Sequence, residues 1–160
     1  MLKDKVIWQE YLLLILLILV GAGIIIIVTM LPYMSISTTA LTSTISIIAI
    51  NNQSYNIALA TTPQAQAQGL MDLSVQELES KGIIGMLFIF NNNGPQCFWM
   101  KNTEIPLEQA WIENGTIVAL YNATPYSLKS ICHTGNEVLE IPNALNITLS
   151  IGDKVVLTSR

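Results

Sequence analysis

From Leu12 to Leu31 the chain runs for 20 residues without an Asp, Glu, Lys or Arg. As a helix this run would be about 30 Å long, the thickness of a bilayer's hydrocarbon core, so it predicts one membrane crossing. A cleaved signal peptide has a shorter apolar region, about 7–15 residues, ending at a small-x-small site. The best such site here, Thr38-Thr39-Ala40, lies well past the run, which favours an uncleaved signal anchor. Lys3 and Lys5 precede the run and the next basic residue is Lys81, so the positive-inside rule keeps the N-terminus cytoplasmic. Trp8, Tyr11 and Tyr33 suit the two interfaces, and Pro32 closes the helix. The expected organisation is a cytoplasmic tail over 1–11, a transmembrane anchor over 12–32, a Ser/Thr-rich spacer over 33–44 and an exported domain over 45–160.

Composition agrees with this division. The 160 residues are 51% hydrophobic and 11% charged, with a mean hydropathy of +0.51, too apolar for an ordinary soluble domain unless the excess sits in one segment. Seven Lys and Arg against eleven Asp and Glu leave a formal charge of −4, which offers no electrostatic footprint for phosphates and excludes a nucleic-acid binder that relies on basic charge. Four N-x-[ST] sequons, at Asn52, Asn114, Asn122 and Asn146, all follow the run and are candidate glycosylation sites of an exported domain.

Beyond Thr44 the pattern is mainly strand. Ile45–Ile50 and Tyr55–Leu59 flank Asn51-Asn52, which reads as a hairpin. Thr62-Pro63 supplies a cap and first-turn proline for a short helix over Gln64–Gln68. Ser74-Val75-Gln76-Glu77 is a capping box for a second helix ending near Gly82. Met86–Phe90 returns to strand, Asn91–Pro95 reads as a turn, and Cys97–Asn102 as the next strand. Asn114-Gly115 joins Ala110–Ile112 to Thr116–Leu120 as a second hairpin. Val138–Ile141 and Val155–Leu157 complete the set, the last after an Ile151-Gly152-Asp153 turn. The fold class expected is mainly β, an α+β domain built as a compact antiparallel sheet or small barrel with one or two short helices, rather than parallel βαβ units.

Gln68-Gly69-Leu70-Met71, Gly85-Met86-Leu87-Phe88-Ile89-Phe90, Phe98-Trp99-Met100-Lys101-Asn102-Thr103, Ile105-Pro106-Leu107 and Val138-Leu139-Glu140 follow one another here in a specific order. In these blocks the chain resembles the domain-of-unknown-function 192 family, over about Thr44 to Leu157. The resemblance implies a compact β-rich domain, frequently exported or membrane-tethered, and supplies no activity. Around Gly-Leu-Met the family usually carries arginine where this chain has Gln66, Gln68 and Asp72, and after Ile-Pro-Leu an aspartate where it has Glu108.

Strand alternation puts Cys97, Trp99, Lys101 and Thr103 on one face and Phe98, Met100 and Asn102 on the other. One reading is a pocket in which Trp99 is an apolar wall and Lys101, Asn102 and Glu108 converge on a ligand, with His133 nearby. The other is that Lys101 snorkels along Trp99 and Asn102 closes a turn. Cys97 and Cys132 are the only cysteines, and in an exported domain they read first as a disulfide. Its loop would stabilise the fold by roughly 3–4 kcal/mol in the chain-entropy model. A copper-handling set of Cys97, Cys132 and His133 with Met71, Met86 or Met100 is the alternative, disfavoured because Cys132 and His133, adjacent in a strand, point to opposite faces. A small envelope hydrolase or transferase using Lys101 or Glu108 is a further alternative. There is no serine elbow, P-loop, dinucleotide fingerprint or Cys-x-x-Cys. The sequence therefore points to a tethered extracytoplasmic binding or accessory module with no cofactor, whose partner is an envelope polysaccharide, peptide or protein.

Overall fold

The structure, a computed structural model, describes residues 44–159. The tail, the anchor and all of the spacer but Thr44 lie outside the described residues, within which no helix is long and apolar enough to cross a membrane.

Seven strands and two short helices follow in the order β1 (Thr44–Ile50), β2 (Gln53–Ala60), α1 (Pro63–Gln68), α2 (Val75–Ser80), β3 (Met86–Phe98), β4 (Leu107–Glu113), β5 (Thr116–Ala123), β6 (Ile131–Pro142) and β7 (Val155–Ser159), with a 3-10 turn at Asn143–Leu145. They form one sheet in the order β5-β4-β6-β3-β2-β1-β7. Local chemistry accounts for the short-range elements. Asn51 and Asn52 take the positive φ (48° and 70°) that the β1–β2 turn requires, and Asn114 and Gly115 do the same (48° and 72°) between β4 and β5. The Thr62 hydroxyl accepts from the Ala65 amide to cap α1, and Ser74 and Glu77 close a reciprocal capping box on α2.

Three expectations are corrected. First, β2 and β3 pair in parallel, Ala58 with Met86 through Ala60 with Phe88, so α1 and α2 lie in a βαβ crossover that the strand pattern did not announce. The crossover buries Leu70, Leu73, Leu78 and Ile83, and that apolar set is what holds it on the sheet. Second, the sheet is not a closed barrel. Among the described residues its edges β5 and β7 meet where both begin, through the Thr116–Lys154 bridge, the Val155 amide on the Gly115 carbonyl at 2.9 Å, and the Ile117 amide on Asp153 and the Gly152 amide on Ile117 at 2.9 and 2.8 Å in the turn before β7. Antiparallel strands that start at one point run apart, so the ladder cannot propagate. Third, Asn91–Pro95 is no turn between strands: β3 continues to Phe98, with Phe90–Asn93 opposed only by Asn136 in a wide bulge against β6. The expected strand over Cys97–Asn102 stops at Phe98, and Trp99–Glu104 is loop.

Each face of the sheet carries its own core. One face gathers Ala58, Ala60, Met86, Phe88, Leu107, Trp111 and Val138 beneath the crossover. The other gathers Ile48, Ile57, Leu59, Leu87, Ala110, Ile112, Leu139 and Ile141, roofed by Leu149 and Val155. Covering on both faces explains why Met86-Leu87-Phe88 and Val138-Leu139 read as unbroken apolar runs.

Candidate functional site

The Phe-Trp-Met-Lys-Asn-Thr block folds into a loop fastened by its backbone. The Met100 amide donates to the Ser127 carbonyl (2.9 Å), the Tyr126 amide to Thr103 (3.1 Å) and the Asp72 amide to Asn102 (2.8 Å). Asn102 sits at φ +53°, so its role is to turn the chain. Met100 is buried and anchors the loop, which leaves Trp99 46% exposed with the Lys101 ammonium 5.3 Å from its ring centroid. Trp99 and Lys101 are thus brought together, by the snorkelling arrangement and not by convergence on a common centre.

Behind Trp99 a cavity of about 310 Å³ opens between the end of α1 and the bulged half of β3. Phe88, Phe90 and Phe98 wall it, Gln66, Gly69 and Met71 form its helical side, and Glu140 of β6 lies at its floor. The rings meet edge to face, with centroids 4.8 Å apart for Phe88 and Phe98 and 6.4 Å for Phe90 and Phe98. Gly69, at φ +52°, passes so close that a side chain there would come within 3.3 Å of the Phe88 ring and 4.0 Å of Glu140 Oε2.

Glu140 was not among the residues expected at a site. It is 4% exposed, and its Oε1 accepts from Gln109 Nε2 at 2.9 Å, the two facing each other directly across β4 and β6. Burial pushes its carboxyl up to about 7, an effect that the hydrogen bond from Gln109 partly offsets. The signal available in the sequence was a lone acid inside the apolar run Val138-Leu139-Glu140-Ile141.

Glu108 stands one residue from Gln109 and so faces the other way, with Ala110 and Ile112, where burial raises its pKa. It does not join Trp99. His133 is exposed on β6 and packs its ring 4.8 Å from Trp111, outside the cavity lining. Cys97 and Cys132 oppose each other across β3 and β6 and are bonded, with Cα atoms 4.1 Å apart. Both thiols of the copper set are thereby consumed, and no group of His, Cys, Asp and Glu suited to a metal occurs among the described residues. The four sequon asparagines are all exposed, Asn52 and Asn114 at hairpin turns, Asn122 on edge strand β5 and Asn146 just past the 3-10 turn.

Two solved structures share this fold. One is a protein of Sinorhizobium meliloti 1021 described provisionally as a transcription regulator, 28% identical, with a TM-score of 0.60 over 72% of this chain and 95% of that one. The other is a protein of unknown function from Novosphingobium aromaticivorans DSM 12444, 27% identical, with a TM-score of 0.57 over 70% and 84% of the two chains. No curated protein matches the chain. The family model of DUF192, described as an uncharacterized ACR, matches residues 46–157, and the chain belongs to this family.

Proposed function

We propose that this chain is an extracytoplasmic binding or accessory module, tethered by the Leu12–Leu31 segment, that takes an envelope ligand in the cavity behind Trp99. The carrying observation is the pairing, in one cavity, of a half-exposed tryptophan on a backbone-fastened loop with a buried carboxyl at the floor. Concave, mostly apolar sites with a few placed polar groups are the usual form of small-ligand sites, and 310 Å³ lies at the lower end of their roughly 300–1,000 Å³ range. A carboxyl shifted toward neutrality also suits acid–base work, but among the described residues Glu140 is the only ionisable side chain lining the cavity, and the Thr103 hydroxyl donates to the Lys101 carbonyl at 3.2 Å. Binding is therefore the better reading. The role ascribed to the Sinorhizobium protein does not carry over, since residues 44–159 hold four lysines and no arginine.

The test is capture on the full chain in lipid nanodiscs, using peptidoglycan fragments, short envelope oligosaccharides and envelope peptides as probes and calorimetry as the readout for parent and variants alike. Trp99→Ala is expected to reduce capture of the responding probe at least about tenfold. Undiminished capture by folded Trp99→Ala and Lys101→Ala variants would remove the site.

A further inference from the structure

We infer that the ligand of this cavity presents a cationic group, an alkylammonium or a guanidinium, to Glu140 Oε2; the inference rests on the cavity's being the binding site. Glu140 is more than nine-tenths buried, and only Oε1 is held, by a single neutral donor. Oε2 has no hydrogen-bond partner among the described residues, and it lies toward Gly69, which borders the same cavity.

No donor among the described lining residues reaches Oε2. Gln66 Nε2 donates to the Ile89 carbonyl at 2.8 Å and the Ala60 carbonyl at 3.3 Å, Gln68 Nε2 to Met71 at 3.2 Å, and Gln96 Nε2 to Gly135 at 3.4 Å. Thr103 donates to Lys101. What the lining leaves over is a carboxylate oxygen, the side-chain oxygens of Gln66, Gln68 and Gln96, the Trp99 indole N–H and a set of ring faces. A buried carboxylate without a counter-charge is costly, so the complementary occupant is a donor that carries positive charge. Aromatic walls favour the same occupant, because ring faces attract cations, and Trp99 already accepts Lys101 in this way on its exposed side. A volume of about 310 Å³ fits a single such group with its alkyl stem, whether free or borne by a peptide side chain.

Agmatine and butylamine, with butanol as neutral isostere and glutarate as anion, are titrated against the full chain in nanodiscs and read by Trp99 fluorescence and by calorimetry. The amines are expected to bind at least about tenfold more tightly than butanol, glutarate not at all, and Glu140→Gln to erase the amine preference while keeping the butanol response. Agmatine tighter than an arginine tetrapeptide would identify a free amine as the source, and the reverse order a peptide side chain; each supports the cation. Equal binding of amines and butanol, unaffected by Glu140→Gln, would overturn the cation and leave the cavity standing as a site. Silence from every probe, neutral ones included, would overturn the cavity reading and this inference with it.

Discussion

The two faces of the sheet are built from the same strands and differ in almost everything else. Along β4, Leu107, Gln109 and Trp111 serve the face beneath the crossover while Ala110 and Ile112 serve the other. The second face is filled with Ile, Leu and Val, whose branched side chains interdigitate, with Glu108 at its margin and the Ser46 hydroxyl buried without a partner among the described residues. The first face is roofed by two six-residue helices and walled by rings, and it holds a cavity and the Glu140–Gln109 pair. Alternation thus gives one sheet an aliphatic core on one surface and, on the other, an aromatic core that holds a buried carboxyl beside a cavity.

Single substitutions separate the contributions of the two faces. The largest effect is expected at Gly85, where an added Cβ would fall 2.0 Å from the Glu140 backbone oxygen, a clash of backbone with backbone. Gly85→Ala should abolish the cooperative thermal transition of the full chain, since it parts β3 from β6 and so disrupts both faces; a transition within a few degrees of the parent would contradict the close approach. Next comes Glu140. Its folded pKa, about 7, lies above its unfolded value, so below pH 4 the carboxyl is neutral in both states, and as pH rises toward 7 only the unfolded state ionises. Stability should therefore fall as pH rises from about 4.5 to 7, by on the order of 3 kcal/mol from this group. Urea midpoints at pH 5 and pH 8 should converge in Glu140→Gln, and an equal slope in parent and variant would show that Glu140 is not the group responsible. The smallest effect belongs to the aliphatic face. Ser46→Ala removes an unsatisfied hydroxyl and should stabilise by about 1 kcal/mol, independently of pH, in the same urea measurement.

Both hairpin turns and both helix N-caps stand where local turn chemistry and capping put them, and the Cys97–Cys132 bond, between residues 35 apart, stands where the cysteine count put it. What escaped is long-range. The parallel β2–β3 pairing depends on which strand the crossover returns to, and Phe90–Asn93 shows that Asn and Gly runs can bulge a strand as readily as end it. The candidate site was legible only in part for the same reason. Trp99 and Lys101 stand together because they are near neighbours in the chain. Glu108 was chosen over Gln109, and Glu140 overlooked, because the phase of alternation in a strand has meaning only once the covered face is known, and the crossover decides that.

The position of β1 carries one more consequence, a mechanical one. Although it is first in the described chain, β1 is an interior strand, laddered to β2 over its full length and to β7 from Ile47 to Ile50. A pull applied at Thr44 along the strand loads both ladders in shear, so their hydrogen bonds must yield together and not peel away one by one. A domain hung from this end would keep its cavity in shape under tension that would unzip an edge strand.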